Sequence, residues 1–305
     1  MTNALKSWIL LIILSIIWGS SFILMKKAMY SSSGETIFSS SQVGSLRMLI
    51  ASTVLLPWAI KGWRALKSKK DVLFFFVVGT CGSFLPAFLF TFAETGITSG
   101  LAGMLNSFTP IFTLLLTFLV LRQRLYPSQY LGVSIGTIGI ILLVLTGQKS
   151  ALSGDIIHIF AVVLATLLYA ISLSTIKYKL SHYTSLQVTS ISLSLVWLPS
   201  LLIVIFSKTM SVVASHEFAK EGLTAIILLA LIGTALATVL FNITIRLSSP
   251  LFASSVTYLM PIVSVFIGWQ FNEVIVREQI GSMLIILLGV LLANLPLFLS
   301  RFKTK

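Results

Sequence analysis

Residues 99–110 read SGLAGMLNSFTP, and residues 250–261 read PLFASSVTYLMP. Both stretches lie in long apolar runs, and their final residues, Pro110 and Pro261, are 151 positions apart. A proline inside a helix lacks a backbone N–H and clashes with the carbonyl four residues earlier. The pair therefore predicts two helices that are interrupted at equivalent places in two related parts of the chain.

The composition of the 305-residue chain is that of a membrane protein. Hydrophobic residues make up 57% and charged residues 10%, with a mean hydropathy of +1.04, whereas soluble domains carry about 25% charged residues. So little charge excludes a soluble fold, and so much hydrophobicity excludes disorder. The single cysteine, Cys81, excludes an internal disulfide and a cysteine-rich metal site. We expect neither a metal nor a cofactor.

Apolar stretches of about 20 residues, the length needed to cross a bilayer, occur ten times. The longest polar interruption, at 208–221, is too short for a soluble domain. We therefore predict an all-α integral membrane protein with ten transmembrane helices, at about 7–27, 42–60, 72–93, 97–121, 128–147, 155–177, 185–207, 222–244, 248–271 and 279–299.

The basic residues orient these spans, because Lys and Arg accumulate in cytoplasmic loops. With the N-terminus inside, fourteen of the 21 Lys and Arg fall on the inner side and six on the outer side, while Arg47 lies within a span. This bias predicts a multi-pass plasma (inner) membrane protein with both termini cytoplasmic. The net charge of +13 is explained by loop positions, so we expect no nucleic-acid partner.

Other matches between the two halves keep nearly the same spacing. Residues 18–26 correspond to 169–177 at 151 positions, and Gln129 and Gly139 correspond to Gln279 and Gly289 at 150. Five spans per half is an odd number, so the second copy enters the membrane upside down. We therefore predict two inverted five-helix repeats, at 1–148 and 149–305, around a central cavity. Inverted repeats are a recurrent architecture of secondary transporters, with the substrate bound between the repeats.

These features together resemble the drug/metabolite transporter superfamily, specifically the EamA-type ten-span permeases. The resemblance rests on Trp18–Phe22 with Lys26, on Arg47, on 98–110, on 250–261 and on Gly289, and it covers essentially the whole chain. It implies a cavity lined by the first, third, fourth, sixth, eighth and ninth spans. It also implies transport, with a leaning towards export of amino acids or related metabolites.

Polar side chains deep in the spans are the candidates for substrate binding, because a polar group in hydrocarbon is costly unless it is bonded. Two further candidates share one face of the first span at i, i+3 spacing, and one of these, Trp18, pairs with Tyr169 in the repeat. Hydrogen bonding or packing between helices is the alternative role for each residue. The six candidates are Trp18, Ser21, Asn106, Tyr169, Asn242 and Tyr258.

Four further residues are candidates for gating or kinking. Pro110 and Pro261 free the carbonyls of repeat-equivalent residues, which suggests backbone polarity facing a cavity, although packing of a bent helix is the alternative. Arg47 lies inside the second span, where charges are functional candidates. It could meet a substrate carboxylate, pair with Glu35 or Glu94, or reach the interface. Lys26 has a similar interpretation.

The sequence thus predicts a carrier for small organic metabolites that works by alternating access in a lipid bilayer. No acidic residue falls in the middle third of a span, which argues against proton coupling through a central carboxylate. We expect no enzyme, because motifs for a nucleophile or a zinc site are missing. A channel or a lipid scramblase is the alternative. Small-residue faces at Gly132, Gly136 and Gly139 serve helix packing and also allow a homodimer.

Overall fold

The computed structural model describes residues 3–120, 126–147, 156–248, 250–271 and 277–302. In these ranges the chain is helical apart from turns and one isolated antiparallel bridge, between Tyr30 and Thr36. Eight helical segments are long and apolar enough to cross a membrane. The prediction of an all-helical, multi-pass membrane protein is confirmed. The eight segments are Leu5–Met29, Ser40–Arg64, Asp71–Ala93, Ser99–Leu119, Ile156–Lys179, Ser185–Phe206, Ala219–Leu247 and Phe252–Gln270.

The first four spans are built from helices of different regularity. The first two are the continuous helices α1 (Asn3–Met29) and α2 (Ser40–Arg64). The third runs from α3 (Asp71–Gly79) through a π-helix (Thr80–Phe84) into α4 (Leu85–Ala93). The fourth consists of α5 (Ser99–Leu105), a 3₁₀ turn (Asn106–Phe108) and α6 (Thr109–Leu119).

The corresponding spans of the second half repeat this pattern. They begin with α8 (Ile156–Lys179), followed by α9 (Ser185–Leu195) with α10 (Trp197–Phe206) and the short α11 (Thr209–Ser215). The next runs from α12 (Ala219–Ala230) through a π-helix (Leu231–Leu236) into α13 (Ala237–Leu247). The last is α14 (Pro250–Ser254) with α15 (Val256–Gln270).

The fifth and tenth predicted spans fall on α7 (Pro127–Gly147) and α16 (Arg277–Phe302), which pack against each other. A Cβ at Gly132 would collide with the carbonyl oxygen of Gly289, and one at Gly139 would lie 2.8 Å from the backbone nitrogen of Ile286. The predicted small-residue face therefore packs within the chain. A homodimer stays a prediction, as does the total of ten spans, because the long apolar stretch of α16 covers only Ile280–Ala293.

Two structural details recur at repeat-equivalent positions. Capping boxes open α2 and α9, with Ser39 bonded to Gln42 and Thr184 bonded to Gln187. These two N-caps are 145 residues apart, and the two π-helices begin at Thr80 and Leu231, which are 151 residues apart. A capping box satisfies two orphan N–H groups at a helix start, so both halves begin their second span in the same way.

The two matched prolines break their helices differently. Pro110 is the second residue of α6, which follows the 3₁₀ turn directly, and the hydroxyl of Thr109 donates to the freed carbonyl of Asn106 at 2.9 Å. Pro261 lies inside α15, and the freed carbonyl of Thr257 accepts from the hydroxyl of Ser107 at 2.9 Å. Both carbonyls therefore have protein partners. That the freed backbone faces a cavity stays a prediction.

A hydrophobic cluster fills the end of the bundle where α1 ends and α2 and α12 begin. It includes Met29, Phe38, Val43 and Ile226, all fully or almost fully buried. A Cβ at Gly222 would lie 2.9 Å from the Phe38 ring. The helices are thus in close contact at this end, which we call the apolar end.

Candidate functional site

A cavity lies at the centre of the bundle, between the two halves. The space open to the centres of water molecules is about 100 Å³, whereas one water needs roughly 10–15 Å³. Its walls come from all eight of the membrane-crossing segments given above. In the numbering of the ten predicted spans, the second (Ser40–Arg64) and the seventh (Ser185–Phe206) therefore line the cavity in addition to the six that the family resemblance implies.

The lining residues form pairs that are 151 positions apart. One member of each pair lies in the first half of the chain and the other in the second half, so the two halves contribute equivalent surfaces to one space. The clearest pairs are Trp18 and Tyr169, Ser21 and Ser172, Met25 and Ile176, Gly82 and Gly233, Phe90 and Phe241, and Asn106 and Thr257.

Two aromatic pairs line the cavity. The rings of Trp18 and Phe241 meet edge to face with 4.9 Å between centroids, and those of Tyr169 and Phe90 stack with 5.9 Å between centroids. Each pair joins one half of the chain to the other. The predicted Trp18 and Tyr169 thus occupy equivalent places, with aromatic surface available to a ligand.

The two π-helices bring backbone close to the first and sixth spans. A Cβ at Gly233 would lie 3.0 Å from the hydroxyl of Ser21, and one at Gly82 would collide with the hydroxyl of Ser172. The Trp18 indole N–H donates to the Gly233 carbonyl at 2.9 Å. The π-turns leave carbonyls free for such bonds, which is why they are frequent at functional sites.

Arg47 is half-buried on the cavity wall and has few partners. Its Nε–H donates to the Thr234 hydroxyl at 2.7 Å, and its Nη1 contacts the Met25 sulfur at 3.9 Å. It is close enough to Tyr169 for an electrostatic interaction. Within the described ranges no carboxylate lies in ion-pair distance of Arg47, so pairing with Glu35 or Glu94 is not what the structure shows.

The repeat-equivalent positions of Arg47 and Thr234, each in the opposite half of the chain, carry neutral side chains. They are Ser192, 145 residues after Arg47, and Ser83, 151 residues before Thr234, and both line the cavity. The Ser192 hydroxyl is buried and finds no hydrogen-bond partner among the described residues. The cavity is therefore nearly symmetric in shape but asymmetric in charge.

Asn106 and Asn242 are buried in the lining and bonded to their neighbours. Asn106 Nδ2 contacts the Met260 sulfur at 3.4 Å, and Asn242 Nδ2 donates to the Thr189 hydroxyl at 2.8 Å. In the part of the chain that the structure describes, Asn242 Oδ1 has no partner. This oxygen is an acceptor that a bound ligand can satisfy after a small rearrangement.

A second pocket of about 180 Å³ adjoins the cavity at the end opposite the apolar end. Ile176 and Asn242 line both spaces, and Lys177 and Arg246 line the second. Arg246 donates to the backbone carbonyl of Tyr183. We call this space the basic vestibule.

Asp71 is the acidic residue beside the basic vestibule. Its Oδ2 accepts from the Tyr183 hydroxyl at 2.6 Å and lies 3.5 Å from His182 Nε2. Burial and the bond to this carboxylate raise the pKa of Tyr183 above its ordinary value. The Asp71 carboxylate and the Tyr183 hydroxyl thus both help to hold the loop between α8 and α9.

A model of the EamA-like transporter family matches this chain twice, over residues 5–145 and 156–295. The chain belongs to the EamA-like transporter family. The family assignment agrees with the helical bundle in two related parts.

Three curated relatives carry the same kind of description. An uncharacterized transporter of Archaeoglobus fulgidus is 28% identical over 61% of this chain and 63% of its own length. The uncharacterized transporter YetK of Bacillus subtilis is 33% identical over 39% of this chain and 38% of its own, and YdfC of the same organism is 28% identical over 41% and 39%. The chain thus matches less than two thirds of the length of each relative.

A solved crystal structure shares the fold over its full length. It is 14% identical to this chain, covers 100% of both chains and superimposes with a TM-score of 0.67. At this identity the likeness shows the fold of this EamA-like transporter and not its substrate.

The structure gathers most of the predicted binding residues in one place. Trp18, Ser21, Asn106, Tyr169 and Asn242 line the cavity, as does Arg47. Tyr258 is buried but is not among the lining residues. Their roles in binding stay predictions.

Lys26, Pro110 and Pro261 also lie outside the lining set. Lys26 is half-buried near the end of α1. Their predicted gating roles are not tested by these positions.

The sequence reasoning missed Ser172, Gly82, Gly233 and Thr234 as lining residues. Ser172 could have been found by extending the 151-residue offset, since it is the repeat partner of the predicted Ser21. The two glycines are partners of each other at the same offset, but neither has a predicted partner. The partnership of Thr234 with Arg47 has no such signal, because it depends on how α2 packs beside the second π-helix.

Proposed function

We propose that this EamA-like transporter is a secondary carrier that moves a small organic metabolite, an amino acid or a related compound, by alternating access. The observation that carries this proposal is the central cavity whose walls are equivalent residues of two halves. If the halves are inverted, each conformation facing one side of the membrane has a counterpart facing the other.

The two ends of the cavity differ, and this difference supports an assignment of the side of the membrane to which the conformation is open. The cavity adjoins the basic vestibule, whereas the apolar end is closed by packed side chains such as Phe38. The bias of Lys and Arg towards the predicted inner loops supports a cytoplasmic position for the vestibule. We infer an inward-facing form of a plasma-membrane protein with both termini cytoplasmic.

The mechanism follows from exchanging these two ends. Closing the vestibule and opening the apolar end exposes the same lining residues to the outside, and the broken fourth and ninth spans are suitable hinges because their helices are already interrupted. Trp18 and Tyr169 contact the body of the substrate, and Asn106 and Asn242 contact its polar groups. The direction of net transport depends on the gradient.

The test is counterflow in proteoliposomes that contain the purified full chain. The vesicles are preloaded with unlabelled amino acids and small organic acids, and labelled compounds are added outside, with and without a pH gradient. Saturable, transient accumulation of one class establishes a carrier, and we expect it to be insensitive to the pH gradient. Fast, unsaturable leakage would indicate a channel instead, and exchange of labelled lipid headgroups would indicate a scramblase.

The orientation has a separate test that exploits the single cysteine. In a Cys81→Ala background, one cysteine is placed at Lys69 or at Ser33 and treated with a membrane-impermeant thiol reagent in intact cells. We expect labelling at position 33 only, because 69 lies in a predicted inner loop and 33 in a predicted outer loop. Labelling at 69 alone would reverse the topology.

A further inference from the structure

We propose that the substrate carries a carboxylate and that Arg47 binds this group in the central cavity. The inference rests on the proposed transport function and names the substrate class of the same cavity. Its starting point is charge: Arg47 is the one formally charged side chain among the described residues that line the cavity, and no Asp or Glu joins it there.

The hydrogen bonding of Arg47 leaves donors for a ligand. A guanidinium carries five N–H groups in a planar fork that matches a carboxylate. The structure gives Arg47 two contacts, one to Thr234 and one to the weak acceptor sulfur of Met25. The rest of the fork is left for the cavity, and Thr234 fixes its orientation through Nε.

A purely structural role does not explain this arrangement. An arginine that stabilises packing inside a membrane is normally paired with a carboxylate or with backbone carbonyls. Here the neighbours are a hydroxyl, a thioether and Tyr169. The unpaired charge in the lining is costly when the cavity is empty, and an anionic ligand removes that cost.

The asymmetry of the repeat gives the substrate one orientation. At the position equivalent to Arg47 the chain has Ser192, whose buried hydroxyl lacks a partner in the described ranges, and nearby Asn242 offers an unbonded Oδ1. These are neutral groups that bind a hydroxyl, an amide or an amine. An ammonium group is therefore tolerated at this end but is not required, because no carboxylate meets it.

The route into the cavity has the same electrostatic preference. Lys177 and Arg246 line the basic vestibule, and the adjoining Asp71 is held by Tyr183 and His182. A mouth lined by positive charge raises the local concentration of anions. The aromatic walls made by Trp18 with Phe241 and by Tyr169 with Phe90 suit an apolar or aromatic body behind the carboxylate.

The experiment measures binding by thermal stabilisation of the purified full chain in detergent, because a ligand that binds the folded state raises the melting temperature. The probes are butyrate, 3-phenylpropionate and phenylalanine, each beside its carboxamide and the corresponding primary amine. We expect at least one acid to stabilise the wild type in a saturable manner, and we expect its amide and its amine to give no shift.

The variants Arg47→Gln, Arg47→Lys and Arg64→Gln test the role of Arg47 directly. We expect Arg47→Gln to raise the Kd of the acid about 30-fold or more, as for removal of one partner of a desolvated charge pair. Arg47→Lys should retain part of the affinity because it keeps the charge without the fork. Arg64→Gln, the matched control, removes the same charge at the exposed end of α2, outside the cavity. It should change the Kd by less than about threefold, because solvent screens an exposed charge.

Two results would overturn the inference. One is binding of an amide or amine as tight as that of the acid, and the other is an unchanged Kd in Arg47→Gln. The wild-type comparison stands if Arg47→Gln does not fold. If no acid binds while counterflow of another class succeeds, the carboxylate is wrong and the carrier stands. If counterflow also fails for every compound, the proposed transport function is wrong as well.

Discussion

The two walls of the cavity differ in one respect that matters for function. One carries Arg47 bonded to Thr234, and its repeat counterpart carries the neutral Ser192 and Ser83. Around them the surfaces are matched, with an aromatic residue, a serine and a π-helical glycine on each side. The backbone repeat and the chemistry of the site are therefore separable. A repeated scaffold can supply two equivalent conformations, while a single unrepeated charge sets how a ligand lies.

The largest effect on the molecule is expected where the two halves meet in α7 and α16. Gly132→Val would push its side chain into backbone atoms of Gly289 and Ala293, and overpacking against backbone cannot be relieved by a change of rotamer. We expect this variant to lose most of its folded yield in detergent, measured as the monodisperse peak in size-exclusion chromatography.

Gly281→Val is the matched control on the tenth span, because a Cβ at Gly281 meets nothing within 4 Å. We expect a normal yield. Equal yields for Gly132→Val and Gly281→Val would contradict the close packing of α7 on α16.

The next largest effect is expected when Arg47 keeps its charge but loses its hydrogen bond to Thr234. Thr234→Val deletes the hydroxyl that orients Arg47, and a hydrogen bond to a charged group is worth about 1.5–3 kcal/mol. We therefore expect counterflow of the substrate to fall about tenfold. Ser83→Ala, the equivalent change on the neutral wall, should alter counterflow by less than about twofold. Similar losses of counterflow in the two variants would contradict the functional asymmetry.

A smaller effect is expected from the aromatic pairs. Trp18→Phe keeps a ring beside Phe241 but loses the bond from the indole N–H to the Gly233 carbonyl. We expect a loss of about 1 kcal/mol in stability and about fivefold weaker substrate binding. Tyr169→Phe serves as the comparison at the repeat-equivalent position, because in the described part of the chain the Tyr169 hydroxyl makes no hydrogen bond to a π-helix. A greater loss in stability there would contradict this ranking.

The smallest effect distinguishes the two proline breaks. Ser107→Ala leaves the buried Thr257 carbonyl without the hydroxyl that satisfies it, at a cost of about 1 kcal/mol. Thr109→Val should cost less, because the Thr109 backbone N–H still donates to the Asn106 carbonyl. The melting temperatures of the two purified variants measure the difference, and the reverse order would be inconsistent with these bonds.

The helical class and most of the cavity were predictable from the sequence. Long apolar stretches need every backbone group bonded internally, and polar residues such as Asn106 and Asn242 have to face the interior. Those two constraints are local, so sequence alone reveals them. The constant offset between the halves also predicts that Trp18 and Tyr169 occupy equivalent places.

The bonding inside the cavity was not predictable in the same way. Thr109 and Ser107 satisfy the carbonyls freed by the prolines, and the choice of these hydroxyls depends on tertiary packing. Tyr258 is polar and buried like several lining residues, but it is not among them. The π-helices have no sequence signal of their own, because they depend on the neighbouring spans.

The measurement that tests the proposed carrier most directly is the access to the cavity from each side of the membrane. A Ser83→Cys substitution in the Cys81→Ala background places a single thiol in the cavity wall. Its labelling rate with an impermeant thiol reagent is followed in right-side-out and inside-out vesicles while the substrate gradient is reversed. We predict that the rate rises on one side as it falls on the other. Rates that change together on both sides would show a continuous pore and contradict alternating access.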